Sequence, residues 1–458
     1  MSTPALTEQS VTRIRVLGYR PAGAAAARER WLWWAAVFAA HAILGLAMHT
    51  SVAVASLHAF VTLAAALAFS LTTRRSLNIL LCGAYVTASE VLWRMCDAMI
   101  FHEMGKYAVA FGCLLGMIRL KKPRIPFGPL LYFCLLLPAV VVPYFTFSFD
   151  VFRKAVLFNL SGPLSLFFVA VFSSNLRLPV PDVLKIVPVF CGPAAAVAAI
   201  TVFSTYSNRA IRFSNESNFA ASGGFGPNQV SSTLAMGTLF CMLYIMLRNL
   251  RGGHALLYLG MALVMTAQSV MTFSRSGIFA VLITMAVVTP LLLPERRSRR
   301  RAFAIMAVFA VFGLAAFPVL NAFTGGKLAQ RFSDIGVSHR EQIAVQDIEM
   351  WKRYPVFGVG VGISKYGHTG GMAAHTEFSR LLAEHGTLGL AALLTLAAMI
   401  LHLSAGALQR SARVRGLRIA LMSWAVLYML SNGMRTVLPG FVFGLGCADF
   451  SDPERDLS

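Results

Sequence analysis

The chain contains 458 residues, of which 57% are hydrophobic and only 13% are charged. A soluble protein carries about a quarter charged residues, so the composition excludes an ordinary soluble domain. Apolar runs of about 17 to 25 residues, long enough to cross a bilayer as helices, recur along most of the chain. The formal net charge of +21 agrees with Lys and Arg concentrated in cytoplasmic loops. No basic face with interleaved aromatic residues indicates binding to nucleic acid, so the expected surroundings are a lipid bilayer.

The sequence predicts an all-α, polytopic membrane helical bundle of about 12 to 14 transmembrane helices. We expect a cytoplasmic N-terminal arm (1–30), a transmembrane bundle (31–323), a long extracytoplasmic loop (324–374), C-terminal transmembrane helices (375–450) and a tail (451–458). The predicted spans are, in chain order, Trp31–Met48, Val52–Leu71, Leu77–Met95, Tyr107–Ile118, Phe127–Phe147, Ala155–Ser174, Val183–Tyr206, Gln229–Leu247, Ala255–Phe273, Gly277–Leu293, Phe303–Phe323, Thr376–Leu403, Leu417–Leu430 and a short last piece, Val437–Ala448.

The distribution of basic residues predicts the orientation of the bundle. With a cytoplasmic N-terminus, "RLKKPR" from Arg119, "ERRSRRR" from Glu295 and "QRSARVRGLR" from Gln409 all fall inside, as the positive-inside rule requires. The same orientation puts the long loop outside. The informative cations are those left on the outer side, because topology does not require them. They are Arg153, Lys154, Arg209, Arg212, Arg275 and a group in the long loop that includes Arg340.

These outer cations favour an extracytoplasmic site for an anion, against the alternative of ordinary solvated loop charge. We predict Arg209, Arg212, Arg275 and Arg340 as its binding residues. Arg275 is the strongest candidate, because it lies in "TFSRSG", a tight turn between two apolar spans where a charge needs a partner.

Within the long loop, "SHREQIAVQDIEMWKRYP" predicts an amphipathic helix that begins near Ser338 and ends before Pro355. Ile343, Ile348 and Trp351 are expected roughly on one face, which would lie on the membrane or on the bundle. The following "FGVGVGISKYG" has the wrong spacing for a dinucleotide fingerprint. Its glycines indicate a simple turn or a flexible approach to a bulky ligand.

A polar headpiece opens the next predicted span. Glu377, Arg380 and Glu384 have i,i+3 and i,i+4 spacing and are expected to neutralise one another as a ladder, mainly a structural role. His375 stands outside the ladder at the junction of loop and helix, where a histidine acts as a general base or simply as a surface or capping residue. We predict His375 as the base. His385, deeper in the helix, is the weaker candidate.

Other chemistries lack their motifs. The chain has no D-x-D pair, no P-loop, no H-E-x-x-H, no G-x-S-x-G and no C-x-x-C, so we predict no metal and no cofactor. A transporter or flippase remains an alternative, because Glu90, Arg94, Asp97, Glu103 and Lys106 cluster near one outer loop. These residues would either line a cavity or pair with each other. No internal repeat supports a transporter.

Four segments in order, "GFGPNQVSSTLA", "TFSRSGIFAVL", "HREQIAVQDIEMWKRYPVFGVGVG" and "HTEFSRLLAEHGTLGL", resemble the O-antigen ligase and O-antigen polymerase superfamily. The resemblance covers roughly Arg209 to Met399. It implies a glycosyltransferase at the periplasmic face of the bacterial inner membrane, with a glycan on undecaprenyl diphosphate as donor. A ligase transfers that glycan to a hydroxyl of lipid A-core, and a polymerase transfers it to another lipid-linked repeat.

The resemblance also implies roles for individual residues. Arg275 matches the arginine of the family's S-R turn and His375 its loop histidine, while Arg209 or Arg212 corresponds to an upstream arginine. The arginines would stabilise charge on the diphosphate, and the histidine would take the hydroxyl proton. One departure is Thr376, which follows the loop histidine where the family usually has Asn.

Overall fold

The computed structural model of the chain describes residues 24–207, 211–248, 250–334 and 339–453. Within these ranges, 12 helical spans are long and apolar enough to cross a membrane, which lies in the predicted range. The all-α polytopic bundle is therefore confirmed. Most of the predicted N-terminal arm, Arg209, Ser338 and the last five residues of the predicted tail lie outside the described residues.

The helices of the described residues are numbered in chain order. They are α1 (Ala24–Thr50), α2 (Val52–Thr72), α3 (Ser76–Met95), α4 (Met104–Ile118), α5 (Phe127–Leu136), α6 (Val141–Thr146), α7 (Phe149–Asn159), α8 (Ser161–Ser174), α9 (Val180–Val183), α10 (Ile186–Ser207), α11 (Pro227–Leu247), α12 (Gly252–Met271), α13 (Arg275–Leu292), α14 (Arg296–Phe323), α15 (Lys327–Ser333), α16 (His339–Arg353), α17 (Glu377–Leu408), α18 (Ala412–Asn432) and α19 (Leu438–Gly446). Short 3-10 turns lie at Pro138–Val140, Ala220–Ser222, Ser364–Tyr366 and Thr369–Gly371, and two strands, β1 (Arg177–Pro179) and β2 (Asp449–Ser451), pair in parallel.

Helix α11 forms the centre of the bundle. It packs against α10, α12 and α13, and nearly all of its side chains are buried. Small residues allow this close packing: a Cβ on Gly277 of α13 would lie 2.5 Å from the Ser231 hydroxyl of α11. Helix α14 has the opposite character, because Val311 and Leu314 are among its many exposed apolar side chains. In a bilayer this surface contacts lipid.

The last predicted piece, Val437–Ala448, forms α19, a helix of nine residues. Nine helical residues rise about 14 Å, so α19 is too short to cross a bilayer by itself, and it is not among the 12 spans. It is fully buried between α8 and α18. A non-helical turn, residues 433–437, precedes it and connects it to α18.

The long loop folds back onto the bundle at the end where α13 and α17 begin, which we call the site end. Helix α16 packs along α17. Its buried face carries Ile343, which is 2% exposed, and Asp347, which is fully buried. Ile348 is 39% exposed, so it lies outside the face of α16 that packs on the bundle. The reason is the register of the helix: Ile343 and Asp347 lie four residues apart on one face, and Ile348 is rotated away from it.

The glycines of "FGVGVG" have a structural explanation. Helix α17 is interrupted at Gly386, whose φ is 61° and ψ is −137°. The glycine-rich loop inserts its backbone there: the amides of Val359 and Gly360 donate to the carbonyls of Ala383 and Glu384, and Thr387 donates to the Pro355 carbonyl. The loop thus satisfies the backbone groups that the break would leave unpaired. Close approach of the two backbones requires Gly358, where an added Cβ would clash with the Ala383 carbonyl oxygen, whereas Gly360 and Gly362 pack against α6 and α7.

We expect Gly386→Ala to destabilise the protein strongly. A Cβ there would lie 2.5 Å from the carbonyl oxygens of Pro355 and Val356, and the positive φ costs roughly 1 to 3 kcal/mol for a residue with a side chain. Gly406→Ala, near the end of the same helix, is the matched control, because nothing lies within 4 Å of its Cβ. Thermal unfolding in detergent should show a lower midpoint for the first variant and an unchanged or higher one for the second. Equal midpoints would contradict this account of the loop.

Candidate functional site

His375 lies at the junction between the long loop and α17. Thr376 caps the helix, because its side chain accepts a hydrogen bond from the Phe378 amide. His375 is partly buried and makes no hydrogen bond to another described residue. Burial, together with the positive charges of Arg435 and Arg340 and a smaller effect of His368, lowers the pKa of His375 to about 3. The ring is therefore neutral at physiological pH, with a nitrogen lone pair available.

Four arginines surround this region, and we call them the arginine cluster: Arg275, Arg331, Arg340 and Arg435. Arg275 is the first residue of α13, Arg331 lies in α15, Arg340 in the first turn of α16, and Arg435 in the turn between α18 and α19. Each comes from a different element. The charges of the other three act on Arg340, and those of Arg340 and Arg435 act on His375, so these side chains lie within electrostatic range in one region.

Backbone carbonyl groups hold the cluster in place. Arg275 donates to the Asp334 carbonyl, and Arg331 donates to the carbonyls of Phe273, at 3.0 Å, and Asn215, at 2.8 Å. Arg340 donates to the Ser431 carbonyl at 3.4 Å. Arg435 donates to two consecutive carbonyls of the segment before His375, Ala373 at 3.0 Å and Ala374 at 2.9 Å. Carbonyls fix the orientation of a guanidinium group without cancelling its charge.

The cluster carries an excess of positive charge. Burial, followed by the charges of Arg435, Arg331 and Arg275, lowers the pKa of Arg340 to about 10. Asp334 and Glu216 lie near Arg331 and partly offset its charge. Among the described residues, however, none of the four arginines forms an ion pair with a carboxylate. Such a set of oriented, half-buried guanidinium groups is suited to bind a polyanion.

Arg435 was missed by the sequence analysis, and so was Arg331. Arg435 lies in "SNGMRTV", a glycine-containing turn between two apolar segments, which is the same signal that identified Arg275. Carboxylates and an arginine hold its turn: Glu377 accepts from the Met434 amide at 3.1 Å, and Glu90 accepts from the Val437 amide at 2.7 Å. Arg94 donates to the Arg435 carbonyl at 3.0 Å.

The predicted ladder is present in α17. Arg380 donates to Glu377 through Nε at 3.1 Å and to Glu384 at 2.7 Å, and all three residues are buried. Because Glu377 also binds the Met434 amide, the ladder anchors the turn that carries Arg435. The ladder thus connects the first turns of α17 to this turn, and its three side chains also line the cavity described below.

The outer polar cluster that kept the transporter alternative open consists mostly of buried ion pairs. Arg94 binds Glu90 at 2.7 Å, and Lys106, fully buried, pairs with Glu103. Asp97 is exposed and stands apart from these pairs. Paired charges of this kind tolerate burial, and here they connect α3, α4 and the Arg435 turn.

A cavity of about 640 Å³ opens beside the cluster. Arg435, Ala373 and Ala374 form one wall, so the cavity ends next to the segment that leads into His375. Arg153 and Lys154 lie at its rim, and both pair with Asp150 of the same helix, at 2.9 Å and 2.7 Å. A cavity of this volume holds a ligand as large as one or two sugar rings.

The predicted binding residues separate into two groups. Arg275 and Arg340 lie together with His375, whereas Arg212 is exposed and is not among the charges that act on the cluster. Arg209 lies outside the described residues. His385 lies further along α17 than His375 and is fully buried, away from solvent. Among the described residues, no group of three or more His, Cys, Asp or Glu side chains is arranged to hold a metal ion.

Residues 260–394 match the family model described as O-antigen ligase. The matched segment begins in α12, includes Arg275, Arg331, Arg340 and His375, and ends within α17. It thus confirms the resemblance to the O-antigen ligase and polymerase superfamily over the part of the chain that carries most of the site. No curated protein and no solved structure was found to match the chain.

Substitution of the ladder arginine and of an arginine in the cluster should have opposite effects on stability. Arg380→Ala should lower the midpoint of thermal unfolding, because Glu377 and Glu384 would be left buried without a partner, a loss of roughly 3 to 5 kcal/mol. Arg340→Gln should leave the midpoint unchanged or raise it, because it removes repulsion from three cations and keeps a donor for Ser431. Thermal unfolding of both variants in the same detergent tests this contrast. A large loss of stability in Arg340→Gln would mean that the cluster is structural.

Proposed function

We propose that this chain is an O-antigen ligase-type glycosyltransferase. It moves a glycan from undecaprenyl diphosphate to a hydroxyl of lipid A-core, at the periplasmic face of the bacterial inner membrane, without a metal ion. The observation that carries the proposal is the arginine cluster, which has no carboxylate ion pair among the described residues and lies beside the neutral His375. The family match over residues 260–394 supports the reaction class.

The reaction requires one bond to form and one to break. The acceptor oxygen bonds to the anomeric carbon of the glycan, and the bond from that carbon to the diphosphate oxygen breaks. The leaving diphosphate keeps the electron pair, so negative charge grows on its oxygens in the transition state. Guanidinium groups already oriented by carbonyls stabilise that charge without reorganising, and their planar donors match phosphate oxygens. Arg275, Arg340 and Arg435 serve this role, and Arg331 adds its positive charge to theirs.

His375 accepts the proton of the acceptor hydroxyl. A pKa of about 3 makes it a weak base before the donor binds, because burial and the charges of Arg435 and Arg340 oppose its protonation. A bound diphosphate places negative charge among the same arginines, and this charge raises the basicity of His375. The base is thus activated by binding of the donor, which limits proton abstraction to the complex that can react.

The position of the basic runs supports a periplasmic site. The runs of basic residues predicted to be cytoplasmic lie around α14 and α18, at the helix ends opposite the site end. The cavity at the site end, lined by Ala373, Ala374 and Arg435, is suited to admit the acceptor hydroxyl close to His375.

Lipopolysaccharide from a deletion strain tests ligase against polymerase. A ligase predicts loss of all capped lipopolysaccharide together with accumulation of lipid-linked polymer. Caps of a single repeat would instead identify a polymerase, the other activity of the superfamily. Unchanged banding and no accumulated lipid-linked glycan would refute both.

Purified protein should transfer glycan in EDTA, and Arg275 should be essential for this transfer. Arg275→Ala should abolish transfer, and Arg275→Lys should restore little, because a point charge replaces a planar pair of donors. Arg177→Lys, at an exposed position outside the predicted binding residues, is the matched control and should retain transfer. The assay is transfer from a lipid diphosphate donor, with protein amount and folding checked by size exclusion. Full transfer by a well-folded Arg275→Ala variant would exclude the role.

His375→Ala should lower turnover by roughly 10²- to 10⁴-fold, the usual contribution of a positioned base. Expression and thermal unfolding should change little, because His375 makes no hydrogen bond to another described residue. Turnover and melting should be measured on the same preparation. If turnover falls only in proportion to stability, or does not fall, His375 is not the base, and Glu216 and Asp334 are the next residues to test.

A further inference from the structure

His368 lies at the centre of a buried polar contact outside the arginine cluster. Its Nε2 lies 2.7 Å from Asp347 Oδ1, and its Nδ1 lies 2.7 Å from the Met372 carbonyl oxygen. The side chains of His368 and Asp347 are both completely buried. Asp347 also accepts a hydrogen bond from Ser379 of α17 at 2.6 Å. Three parts of the chain, α16, the loop after it and α17, therefore meet at one carboxylate.

The chemistry of these partners defines the protonation of His368. A carbonyl oxygen only accepts hydrogen bonds, and an ionised carboxylate also only accepts. Both ring nitrogens therefore donate, which requires the imidazolium form. The Ser379 hydroxyl donates to Asp347, not to His368, so the three side chains do not have the geometry of a serine nucleophile with its base.

This contact controls the segment that leads to the base. Gly370 and Gly371 have φ values of 76° and 65°, and glycines give the backbone freedom to move. Beyond them, three consecutive carbonyls are held: Met372 by His368, and Ala373 and Ala374 by Arg435. The next residue is His375. Without the first of these bonds, a flexible glycine pair would directly precede the segment that binds Arg435.

We propose that the His368–Asp347 pair is a positioning device for the reaction, which holds the Met372 carbonyl and thereby sets both His375 and Arg435. Asp347 lies seven residues after Arg340 on the same helix. Packing of α16 against α17 therefore brings Asp347 and one member of the arginine cluster to the site together. We call the bonds of His368 to Asp347 and to the Met372 carbonyl the tether. The tether rests on geometry alone, whereas its catalytic consequence rests on the proposed function.

The tether responds to pH in a defined direction. Burial opposes protonation of His368, but the bonds to Asp347 and to the Met372 carbonyl outweigh it, and the pKa of His368 is raised above its ordinary value. The other groups that act on the ring are Glu384 on α17, which favours the charged form, and His375 in the same loop. The tether is therefore complete below about pH 6.5, the ordinary value for histidine, and is lost as pH rises through the raised pKa.

Hydrogen–deuterium exchange of the full-length protein in detergent tests the tether without any transfer reaction. After correction for intrinsic exchange, the peptide spanning residues 370–376 should lose protection as pH rises in the wild type. Asp347→Asn should lose it at a pH lower by roughly 1 to 3 units, because the charge that favours the imidazolium is gone. Gln346→Ala is the matched control: it removes two neutral hydrogen bonds between α16 and Thr369, 2.7 Å and 3.2 Å long, and should not move the pH of the transition. Protection of residues 388–400 reports whether each variant is folded.

Transfer kinetics then test the positioning role. In the wild type and Gln346→Ala, kcat should fall on the alkaline side at the pH where protection is lost, and in Asp347→Asn both should move together to lower pH. His368→Gln should give a low kcat without this alkaline limb, while KM for the lipid donor changes little. A transition that does not move in Asp347→Asn, or that moves equally in Gln346→Ala, overturns the tether. If the exchange transitions behave as expected but kcat does not follow them, the catalytic role of the tether is overturned. If the wild type transfers no glycan, this result counts against the proposed function alone.

Discussion

The site depends on one shared carboxylate, that of Glu377. It neutralises Arg380 within α17, and it also accepts a hydrogen bond from the Met434 amide in the turn before α19. A buried carboxylate needs a full set of partners, so the first turn of α17 and the Arg435 turn are fixed relative to each other. His375 lies two residues before Glu377, and Arg435 one residue after Met434. The base and an arginine of the cluster are thus positioned by the same interaction.

The two sets of charges at the site end are organised by opposite rules. In the supporting set, every cation has a carboxylate partner: Arg380 between two glutamates, Arg94 with Glu90, and Lys106 with Glu103. In the arginine cluster, the donors are bound to carbonyl groups and the charge is left uncancelled. The paired set provides rigidity, and the unpaired set provides the electrostatic field that an anion would complete. An arginine site of this kind is stable only because the paired network holds its backbone.

The long loop is a structural part of the site and not only a connection. Its glycine-rich portion fills the break in α17 at Gly386, its helix α16 carries Arg340 and Asp347 on one face, and its last residues hold Arg435. Hydrogen bonds between the loop backbone and the backbone at the break pair polar groups of both segments. Movement of the loop would therefore disturb the base and the cluster together, which links the binding of a large substrate to the geometry of the reacting groups.

The sequence alone determined the class of fold, since long apolar runs in a bilayer must form helices, and it determined the local features whose partners are close in the chain. The Glu377–Arg380–Glu384 ladder and the extent of α16 follow from spacing of three or four residues, and the place of His375 at the junction of loop and helix follows from its position before an apolar run. Only the tertiary structure decided which distant arginines meet, because Arg275, Arg331, Arg340 and Arg435 come from four elements whose packing no periodicity encodes. It also decided that Ile348 faces away from the bundle and that Gly358 lies against the break in α17, because both depend on which element packs opposite.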